Sequence, residues 1–409
     1  MLKNYFKIAI AVLKRRKFFT FISLFVISFT LAVLMVLTAF IDKIINDDYP
    51  DRKRDRSLYI TKMQEEGTKT GYTSSGTLSF SFLNRYVATM RTPVKVAISS
   101  VYQASNTYVN NKKIVVNYKY TNADYWDVME YDFTEGGPYT KEEIDRGERV
   151  AVVSEDIKRD YFGDVSKVVG KYMEADNVLY RISGVVKNVP VTSFLLYSDI
   201  YLPYTVSKSG YNDKSYQGPY TAVLLAGSKD DMPKIQAEYE GLMQKLPPET
   251  SDYDRLYSHA DTYITGYLRT GDEKKSGLAT VITWLVIFIS FFMLLPTLNL
   301  VNINVTRIME RSSEIGVRKA FGASSGTLVY QFLVENIILT LLGGVIGVLL
   351  SGIILYFINR ANLIANLHLT LSPVVLLWGL LACLFFGLLS GVYPAWRMSR
   401  FNVITALKS

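Results

Sequence analysis

The sequence predicts a membrane α-helical protein with four transmembrane helices and a large α+β extracytoplasmic domain between helices one and two. Apolar residues make up 49% of the 409 residues, and they gather in long runs with few charges. A helix needs about 20 apolar residues to cross a bilayer, and its backbone polar groups must bond within the segment. The runs that meet this requirement are residues 18–40, 278–303, 328–358 and 374–396.

The basic residues beside these runs predict the orientation. Residues 1–17 carry six lysines and arginines, the loop 304–327 carries four and the tail 397–409 carries three, whereas the short outer loop 359–373 carries one. Because such residues stay on the cytoplasmic side, we expect a multi-pass inner-membrane protein with both termini cytoplasmic. This topology explains the net charge of +8, so we expect no nucleic-acid partner. Apolar residues at helical spacing predict that residues 1–17 form an amphipathic elbow helix on the bilayer surface.

Residues 41–277 predict a stalk and then a periplasmic domain, in which short strands alternate with short helices. The clearest element is VAVVSEDIKRDYFG, where a strand leads to a capping Ser154, a helix and a stop at Gly163. The segment VLYRISGVVKNVP predicts two strands divided by Gly184. The first apolar run is longer than the roughly 7–15 residues of a signal-peptide core, so we expect it to be retained as an anchor.

The residues that usually carry catalysis or bind metals are scarce. The chain has two histidines and one cysteine, Cys383, which lies inside the fourth apolar run. That inventory argues against a catalytic triad, a cysteine nucleophile or a zinc site. No GxxxxGK[ST] phosphate loop occurs. We therefore expect no catalytic, cofactor-binding or metal-binding residues, and a protein that binds or transmits.

The loop 304–327 contains ERSSEIGVRKAFGASSG, the densest pattern of charge and glycine near the membrane. A short cytosolic helix with acidic, basic and apolar residues is suited to docking a soluble partner. The alternative is that its charges only enforce topology. Topology requires Lys and Arg, however, and does not explain the glutamates or the glycines.

At these residues the sequence resembles the MacB/FtsX-like permease family of ABC transporters. The run RIMERSSEIGVRKAFGASSGTLVYQFLVENIILTLLGG is similar to the family's coupling helix and third membrane helix, and GVYPAWRMSRFNVITAL is similar to its closing motif, with Met398 and Val403 departing from it. NADYWDVMEYDFTEGGPYT and YRISGVVKNVP resemble its periplasmic core domain. The resemblance implies a dimer, with a second copy or a paralogous permease, and a separate ABC ATPase subunit that binds ATP and Mg²⁺. In efflux members it also implies a periplasmic adaptor and an outer-membrane channel.

The resemblance also assigns residues to the docking of the ATPase. In such permeases the coupling helix lies in a groove of the ATPase. The residues that carry this expectation are Glu310, Glu314, Ile315, Gly316, Arg318, Lys319, Gly322 and Ala323.

Small residues four apart predict close packing of membrane helices three and four as one rigid unit. They are Gly343, Gly347 and Ser351 in helix three and Gly379, Gly387 and Gly391 in helix four.

Helix two contains a predicted hinge at Pro296 and two intramembrane polar residues, Asn299 and Asn302. Glu335 in helix three requires a partner, for which we expect Arg307, Arg318 or Lys319.

These observations lead to two functional hypotheses. The first is the permease subunit of a mechanotransmission ABC transporter, which relays the motion of a separate ATPase to its periplasmic domain for export or extraction of a substrate. The second is a regulatory or receptor subunit that activates a periplasmic hydrolase or signals without transport. A membrane-anchored enzyme is disfavoured because catalytic groups are missing.

Overall fold

The chain divides into a helical unit and a core unit. The computed structural model describes residues 15, 17–46, 49–109, 112–193, 195–207, 210–269, 273–310, 317, 321 and 324–399. The predicted elbow helix 1–17 and the tail 397–409 therefore lie almost entirely outside the described residues. The helical unit comprises Met1–Asp42, Ile282–Leu363 and His368–Ser409, and the core unit comprises Lys43–Val281 with Ile364–Leu367.

Each predicted apolar run lies inside one long helix, and short helices occur in the core unit. The described α-helices are α1 (Lys17–Ile45), α2 (Phe80–Phe82), α3 (Asp124–Val128), α4 (Lys141–Asp145), α5 (Glu155–Phe162), α6 (Met232–Met243), α7 (Tyr263–Leu268), α8 (Leu278–Glu310), α9 (Ser325–Arg360) and α10 (Pro373–Ser399). A single π-helical turn, Leu83–Val87, continues α2. Single 3₁₀ turns occur at Arg54–Arg56, Tyr204–Val206 and Lys229–Asp231.

Three of the long helices have the length and composition to cross a membrane. Within the part of the chain that the structure describes, these spans are Lys17–Ile45, Val329–Arg360 and Pro373–Val392. The comparable apolar stretch described in α8, Leu278–Leu294, is shorter.

A large mixed sheet forms the centre of the core unit. The strands are β1 (Ser57–Ile60), β2 (Met63–Glu66), β3 (Thr73–Gly76), β4 (Lys95–Ser100), β5 (Gln103–Val109), β6 (Lys112–Thr121), β7 (Phe133–Gly136), β8 (Val150–Ser154), β9 (Tyr172–Ala175), β10 (Val178–Val186), β11 (Ile200–Pro203), β12 (Tyr220–Leu225) and β13 (Arg255–Tyr257). The described strands of the large sheet follow the order β1-β12-β4-β6-β11-β8-β10-β7, with β5 paired to β6 and β9 paired to β10. Most pairs are antiparallel, but β6 with β11 and β8 with β10 are parallel. A smaller sheet has the order β13-β2-β3.

Both faces of the large sheet are covered, which explains why the strand β8 is almost entirely apolar. In β8, Ala151 and Val153 belong to one hydrophobic cluster, while Val150 and Val152 belong to the cluster on the opposite face. Successive side chains of a strand point to opposite faces. A strand buried on both sides therefore needs apolar residues at every position.

The local prediction around Ser154 is confirmed, whereas the one around Gly184 is wrong. The Ser154 hydroxyl caps α5 by accepting a hydrogen bond from the Ile157 amide at 3.3 Å, and Gly163 ends the helix with a φ of 70°. Residues Val178–Val186 form one strand, β10, whose register shifts between Ile182 and Gly184. A side chain at Gly184 would lie 2.5 Å from the Gly137 carbonyl oxygen. The glycine therefore marks a β-bulge and not a break in the strand.

In the helical unit, α1 packs in parallel along α9. A Cβ at Gly343 would lie 2.6 Å from Ile27, and one at Gly347 would lie 3.0 Å from Leu31. One turn further on, the Ser351 hydroxyl lies 3.6 Å from the sulfur of Met35. Residue numbers rise together along both helices.

The predicted close packing of helices three and four is observed, since α9 and α10 lie against each other. The stripe on helix three is not part of that contact, because Gly343, Gly347 and Ser351 face α1 and not α10. The physical reason is that small residues allow close approach of whichever helix supplies complementary side chains.

The stripe on α10 is divided between two neighbours. A Cβ at Gly387 would lie 2.3 Å from Thr340, and one at Gly391 would lie 2.5 Å from Asn336, both in α9. The nearest atoms to a Cβ at Gly379 belong to Leu31 and Met35 of α1. Residue numbers fall along α9 as they rise along α10, so these two helices are antiparallel.

Candidate functional site

The predicted docking loop is described only at a few positions. Glu314, Ile315, Gly316, Arg318, Lys319, Gly322 and Ala323 lie outside the described residues. Glu310 is exposed at the last residue of α8. The docking role of this set stays a prediction.

The described residues of the loop include two exposed apolar side chains on one helical turn. The amide of Phe321 donates a hydrogen bond to the carbonyl oxygen of Val317 at 3.0 Å, which is the spacing of an α-helical turn. Phe321 is 89% exposed and Val317 is 44% exposed. Together with Glu310, they present apolar and acidic groups on a short segment.

Glu335 is buried in α9 beside a polar neighbour. The amide nitrogen of the Gln331 side chain donates a hydrogen bond to Glu335 Oε1 at 3.1 Å, and Glu335 is 7% exposed. Arg318 and Lys319 lie outside the described residues, as does the side chain of Arg307. The predicted basic partner is thus untested, and Gln331 is a partner that the sequence analysis missed.

The polar residues of α8 differ in their surroundings. The side chains of Pro296 and Asn299 lie outside the described part of the structure, and Asn302 is exposed. Asn304 is 1% exposed, and its side-chain nitrogen donates a hydrogen bond to the carbonyl oxygen of Ser390 in α10 at 3.3 Å. The hinge at Pro296 stays a prediction, whereas Asn304 links α8 to α10.

A buried polar cluster anchors the end of α1 in the core unit. Its central residue is Arg54, whose Nη1 donates hydrogen bonds to the carbonyl oxygens of Ile44 at 2.9 Å and Asn46 at 2.8 Å. The last carbonyl groups of a helix lack partners within the helix, and the helix dipole favours a cation there. Arg54 therefore caps the C-terminal end of α1.

The same arginine connects this helix end to the first strand of the large sheet. Its Nε forms an ion pair with Asp51 Oδ2 at 2.9 Å, and the two side chains are only 7% and 2% exposed. The hydroxyl of Tyr59, in β1, donates a hydrogen bond to the same Asp51 oxygen at 2.6 Å. The guanidinium carbon lies 3.9 Å from the centre of the Tyr263 ring. We call Asp51, Arg54, Tyr59, Asp261 and Tyr263 the anchor cluster.

The anchor cluster also holds the segment through which the chain leaves the core unit. Tyr59 and Asp261 exchange two backbone hydrogen bonds, of 2.7 and 3.0 Å. Asp261 forms an ion pair with Arg269, which also donates to the carbonyl oxygen of Glu273 at 2.9 Å. The segments that precede and follow the core sheet are thus tied to one strand, β1.

Burial governs the electrostatics of the anchor cluster. Burial raises the pKa of Asp51, while the Arg54 charge and the hydrogen bonds from Tyr59 and Arg54 oppose that rise. Burial and the nearby Asp51 charge raise the pKa of the Tyr59 hydroxyl well above its usual range. Breaking a buried ion pair by removing one partner typically costs about 3–5 kcal/mol. Asp51 and Arg54 therefore resist separation from each other.

The sequence predicts a stalk at the start of this region and then the α+β domain, and it does not predict the anchor cluster. The run DRKRDRS at residues 51–57 contains six charges, a pattern that is equally typical of a solvated surface. What distinguishes Arg54 is its contact with Tyr263, which lies about two hundred residues further along the chain. No local pattern carries that information.

The short loop between α9 and α10 supplies a second contact within the core unit. The Asn366 side chain donates a hydrogen bond to Asp156 at 3.1 Å and accepts one from Asn188 at 3.3 Å. Asn188 in turn accepts a hydrogen bond from the Asp156 amide at 2.9 Å, at the start of α5. Asn366 has a φ of 62°, which asparagine tolerates better than most residues.

Comparison with known proteins identifies both parts of the chain. Residues 20–242 match the family model of the MacB-like periplasmic core domain, and residues 286–403 match that of the FtsX-like permease C-terminal domain. The first match alone covers more than half of the chain.

Curated relatives include permeases and combined ATP-binding/permease proteins. The ABC transporter permease YknZ of Bacillus subtilis is 24% identical over 77% of this chain and 75% of its own length. The macrolide export ATP-binding/permease protein MacB of Escherichia coli K12 is 26% identical over 77% of this chain and 46% of its own length. The pyoverdine export ATP-binding/permease protein PvdT of Pseudomonas syringae is 27% identical over 69% and 41%. The chain thus spans less than half the length of these last two relatives.

Solved structures of extracytoplasmic regions from the same group also match. The extracellular domain of YknZ from Gram-positive bacteria aligns with 46% of this chain and 93% of its own, at 15% identity and a TM-score of 0.36. The periplasmic region of MacB from Actinobacillus actinomycetemcomitans aligns with 53% and 94%, at 17% identity and a TM-score of 0.37.

The two family models together settle what kind of protein this is. They account for the apolar helices and for the α+β unit between the first two of them. The chain belongs to the MacB/FtsX-like family of ABC transporter permeases, membrane proteins with an extracytoplasmic α+β domain.

Proposed function

We propose that this chain is the non-catalytic permease subunit of a mechanotransmission ABC transporter. In this proposal a separate ATPase subunit binds ATP and Mg²⁺, and this chain relays the resulting motion to its extracytoplasmic domain for export or extraction of a substrate. Two relatives are named as combined ATP-binding/permease proteins. The sequence contains no phosphate loop, so this proposal takes ATP binding to be the work of the ATPase and not of these residues.

The proposed topology has four membrane-spanning helices, α1, α8, α9 and α10, with both termini cytoplasmic. The distribution of lysine and arginine favours this orientation. The packing is consistent with it, because α1 and α9 run in the same direction and α10 runs in the opposite one. In this arrangement the loop 304–327 faces the cytoplasm, where an ATPase can bind it. The permease acts in this proposal as a dimer with a second copy or a paralogue in the inner membrane.

In this proposal, motion passes from that loop through α9 and α1 to the large sheet. Helix α9 begins at Ser325, within the last residues of the predicted loop, and packs along α1 through Gly343 and Gly347. Helix α1 continues without interruption to Ile45. There Arg54 binds its terminal carbonyl groups and pairs with Asp51, which also holds the first strand.

The observation that carries the proposal is this capped and ion-paired end of α1. A flexible linker at the same place would absorb a displacement of the helix. A buried guanidinium with four partners transmits the displacement of the helix, because separating these groups would leave a buried charge without its partner. Coupling through such a contiguous network requires a direct test.

Co-purification tests the proposal. The detergent-solubilised protein is isolated from its native membranes beside a Glu314→Lys, Gly316→Trp double variant in the predicted docking loop. A matched control carries Glu174→Lys and Gly210→Trp, the same two changes at exposed positions of the core unit. We expect an ATPase subunit to accompany the wild type and the control and to be lost from the loop variant.

The other outcomes are equally informative. An ATPase that stays bound to the loop variant would place its docking surface elsewhere. If no ATPase accompanies any of the three proteins, the proposal lacks the ATPase that would drive transport, and the regulatory or receptor hypothesis is favoured.

A further inference from the structure

A groove crosses the surface of the core unit between the turn that follows α2 and the C-terminal end of α6. It consists of two cavities, of about 720 Å³ and about 300 Å³. Both cavities are lined by Tyr86 and Pro247, so the two cavities are adjacent. We call the two cavities together the α6 groove. Their volumes are in the range of ligand-binding sites.

The lining of the α6 groove combines apolar and aromatic side chains with polar ones. Met90, Leu242 and Leu246 line the larger cavity, and Tyr216 with the ring of Phe82 lines the smaller one. The rings of Phe82 and Tyr216 pack edge to face at 5.2 Å. Aromatic and apolar linings of this kind supply most of the contact area in recognition sites.

The rim of the groove carries cations without ionic partners. Arg85, Lys214 and Lys245 are exposed lining residues, and none of them forms an ion pair with a described residue. A group of three cations is unusual in this part of the chain, because the segment 41–277 has a slight excess of acidic residues. Their charges are therefore available to a bound partner.

The two carboxylates of the groove are already bonded to the backbone. Glu238 accepts hydrogen bonds from the amides of Arg91 at 2.8 Å and Thr92 at 3.0 Å, and these bonds help to lower its pKa against the effect of burial. Glu249 accepts a hydrogen bond from the Tyr216 amide at 2.9 Å. Both carboxylates are held in place by these bonds, and the lining of the groove carries three cations against two carboxylates.

The walls of the groove are held in place before any ligand binds. The Tyr216 hydroxyl donates a hydrogen bond to the Pro247 carbonyl oxygen at 3.1 Å, which fixes the segment that leads from α6 to Glu249. On the other wall, the Ala88 amide bonds the Leu83 carbonyl oxygen at 2.8 Å and closes a π-helical turn. Such turns are frequent at functional sites. A preformed site loses less entropy on binding.

We propose that the α6 groove binds an extended acidic segment of a partner protein, with apolar side chains in the two cavities and carboxylates against Arg85, Lys214 and Lys245. An extended chain suits two adjacent cavities, because alternate side chains point in the same direction and can enter them in turn. The complementary charge supplies orientation and partner choice. This inference is independent of the ATPase and of the docking loop.

The test measures binding of a defined probe to the full-length protein in nanodiscs of zwitterionic lipid. The probe is a short fluorescein-labelled peptide in which glutamate alternates with leucine. The control peptide has the same length and label, with lysine in place of glutamate. Anisotropy is followed for the wild type and for the Arg85→Glu, Lys245→Glu variant. The control variant, Lys167→Glu with Lys171→Glu, makes the same charge change at exposed positions outside the groove.

We expect the glutamate peptide to bind the wild type and the control equally, and to bind the groove variant about tenfold more weakly, as expected for the loss of charge complementarity. Added salt should weaken the same binding. Equal binding of both peptides, or equal binding to all three proteins, would overturn the inference. Displacement of the probe by phosphatidylglycerol vesicles but not by unlabelled peptide would assign the groove to lipid and overturn it as well. None of these results affects the co-purification test.

Discussion

Replacement of Lys119 by methionine should stabilise the core unit and change how its stability depends on pH. Lys119 lies in β6 with no exposed surface, and its amine donates a hydrogen bond to the carbonyl oxygen of Leu195. Burial lowers the pKa of this lysine from 10.5 to about 7. The folded protein therefore disfavours the charged form that the unfolded chain adopts in neutral water.

The sign of the effect follows from proton binding. Between pH 7 and pH 10.5 the unfolded chain holds a proton on Lys119 more often than the folded protein does. Stability therefore rises with pH across this window. Above the window the amine is neutral in both states, and the penalty disappears.

The magnitude can be worked out from the same shift. At about 1.36 kcal/mol per pKa unit, the penalty is about 4 kcal/mol at pH 7 and falls to about 2 kcal/mol at pH 9. Methionine has a similar length and removes the amine, but it leaves the Leu195 carbonyl without this donor, which costs about 1–2 kcal/mol. The Lys119→Met variant should thus gain about 2–3 kcal/mol at pH 7 and lose its advantage near pH 10.

The assay is thermal unfolding of the detergent-solubilised protein between pH 6.5 and pH 10, followed by the fluorescence of Trp126 with the membrane tryptophans replaced. The control is Lys113→Met, the same change at an exposed position of the same strand, which should have little effect. A Lys119→Met variant that is less stable than the wild type at pH 7, or whose advantage is the same at every pH, would refute the reasoning.

Two further predictions concern the helices and the outer loop. Gly343→Ala should cost about 1–3 kcal/mol by overpacking, because its Cβ would meet Ile27. The fraction of protein that stays folded after heating in detergent should fall for Gly343→Ala. It should not fall for Gly352→Ala, because a Cβ at Gly352 has no neighbour within 4 Å. Asn366→Gly should speed hydrogen exchange of the outer loop up to about tenfold, since it removes the bond to Asp156. Asn362→Gly, also at a positive φ, should leave the exchange unchanged. Equal effects of Gly343→Ala and Gly352→Ala would contradict the contact with Ile27, and equal effects of the two asparagine variants would contradict the bond to Asp156.

Local patterns in the sequence predict local structure well. The cap at Ser154 and the stop at Gly163 are confirmed because they depend on hydrogen bonds between residues three or four positions apart. Gly184 was misjudged because a glycine in a strand marks either a break or a bulge. Only the register against β8 distinguishes the two.

Contacts between distant segments could not be predicted in the same way. The spacing of Gly343 and Gly347 shows that one face of α9 is small, but not which helix fills it. Similarly, the charge of Arg54 was visible in the sequence, whereas its contacts with the end of α1 and with Tyr263 depend on the folded topology. The docking role of Glu314 and Gly316 stays a prediction.

The central claim is that ATP-driven motion reaches the extracytoplasmic domain through α1 and Arg54. The most direct test is electron–electron distance measurement on the complex of the permease with its ATPase, with Cys383 replaced by serine and a spin label at Lys171→Cys of each permease subunit. Trapping a hydrolysis-deficient ATPase with ATP should shift the distance distribution between the two labels. The shift should be reduced in Arg54→Met. An unchanged distribution with ATP, or a shift that Arg54→Met leaves intact, would contradict the account.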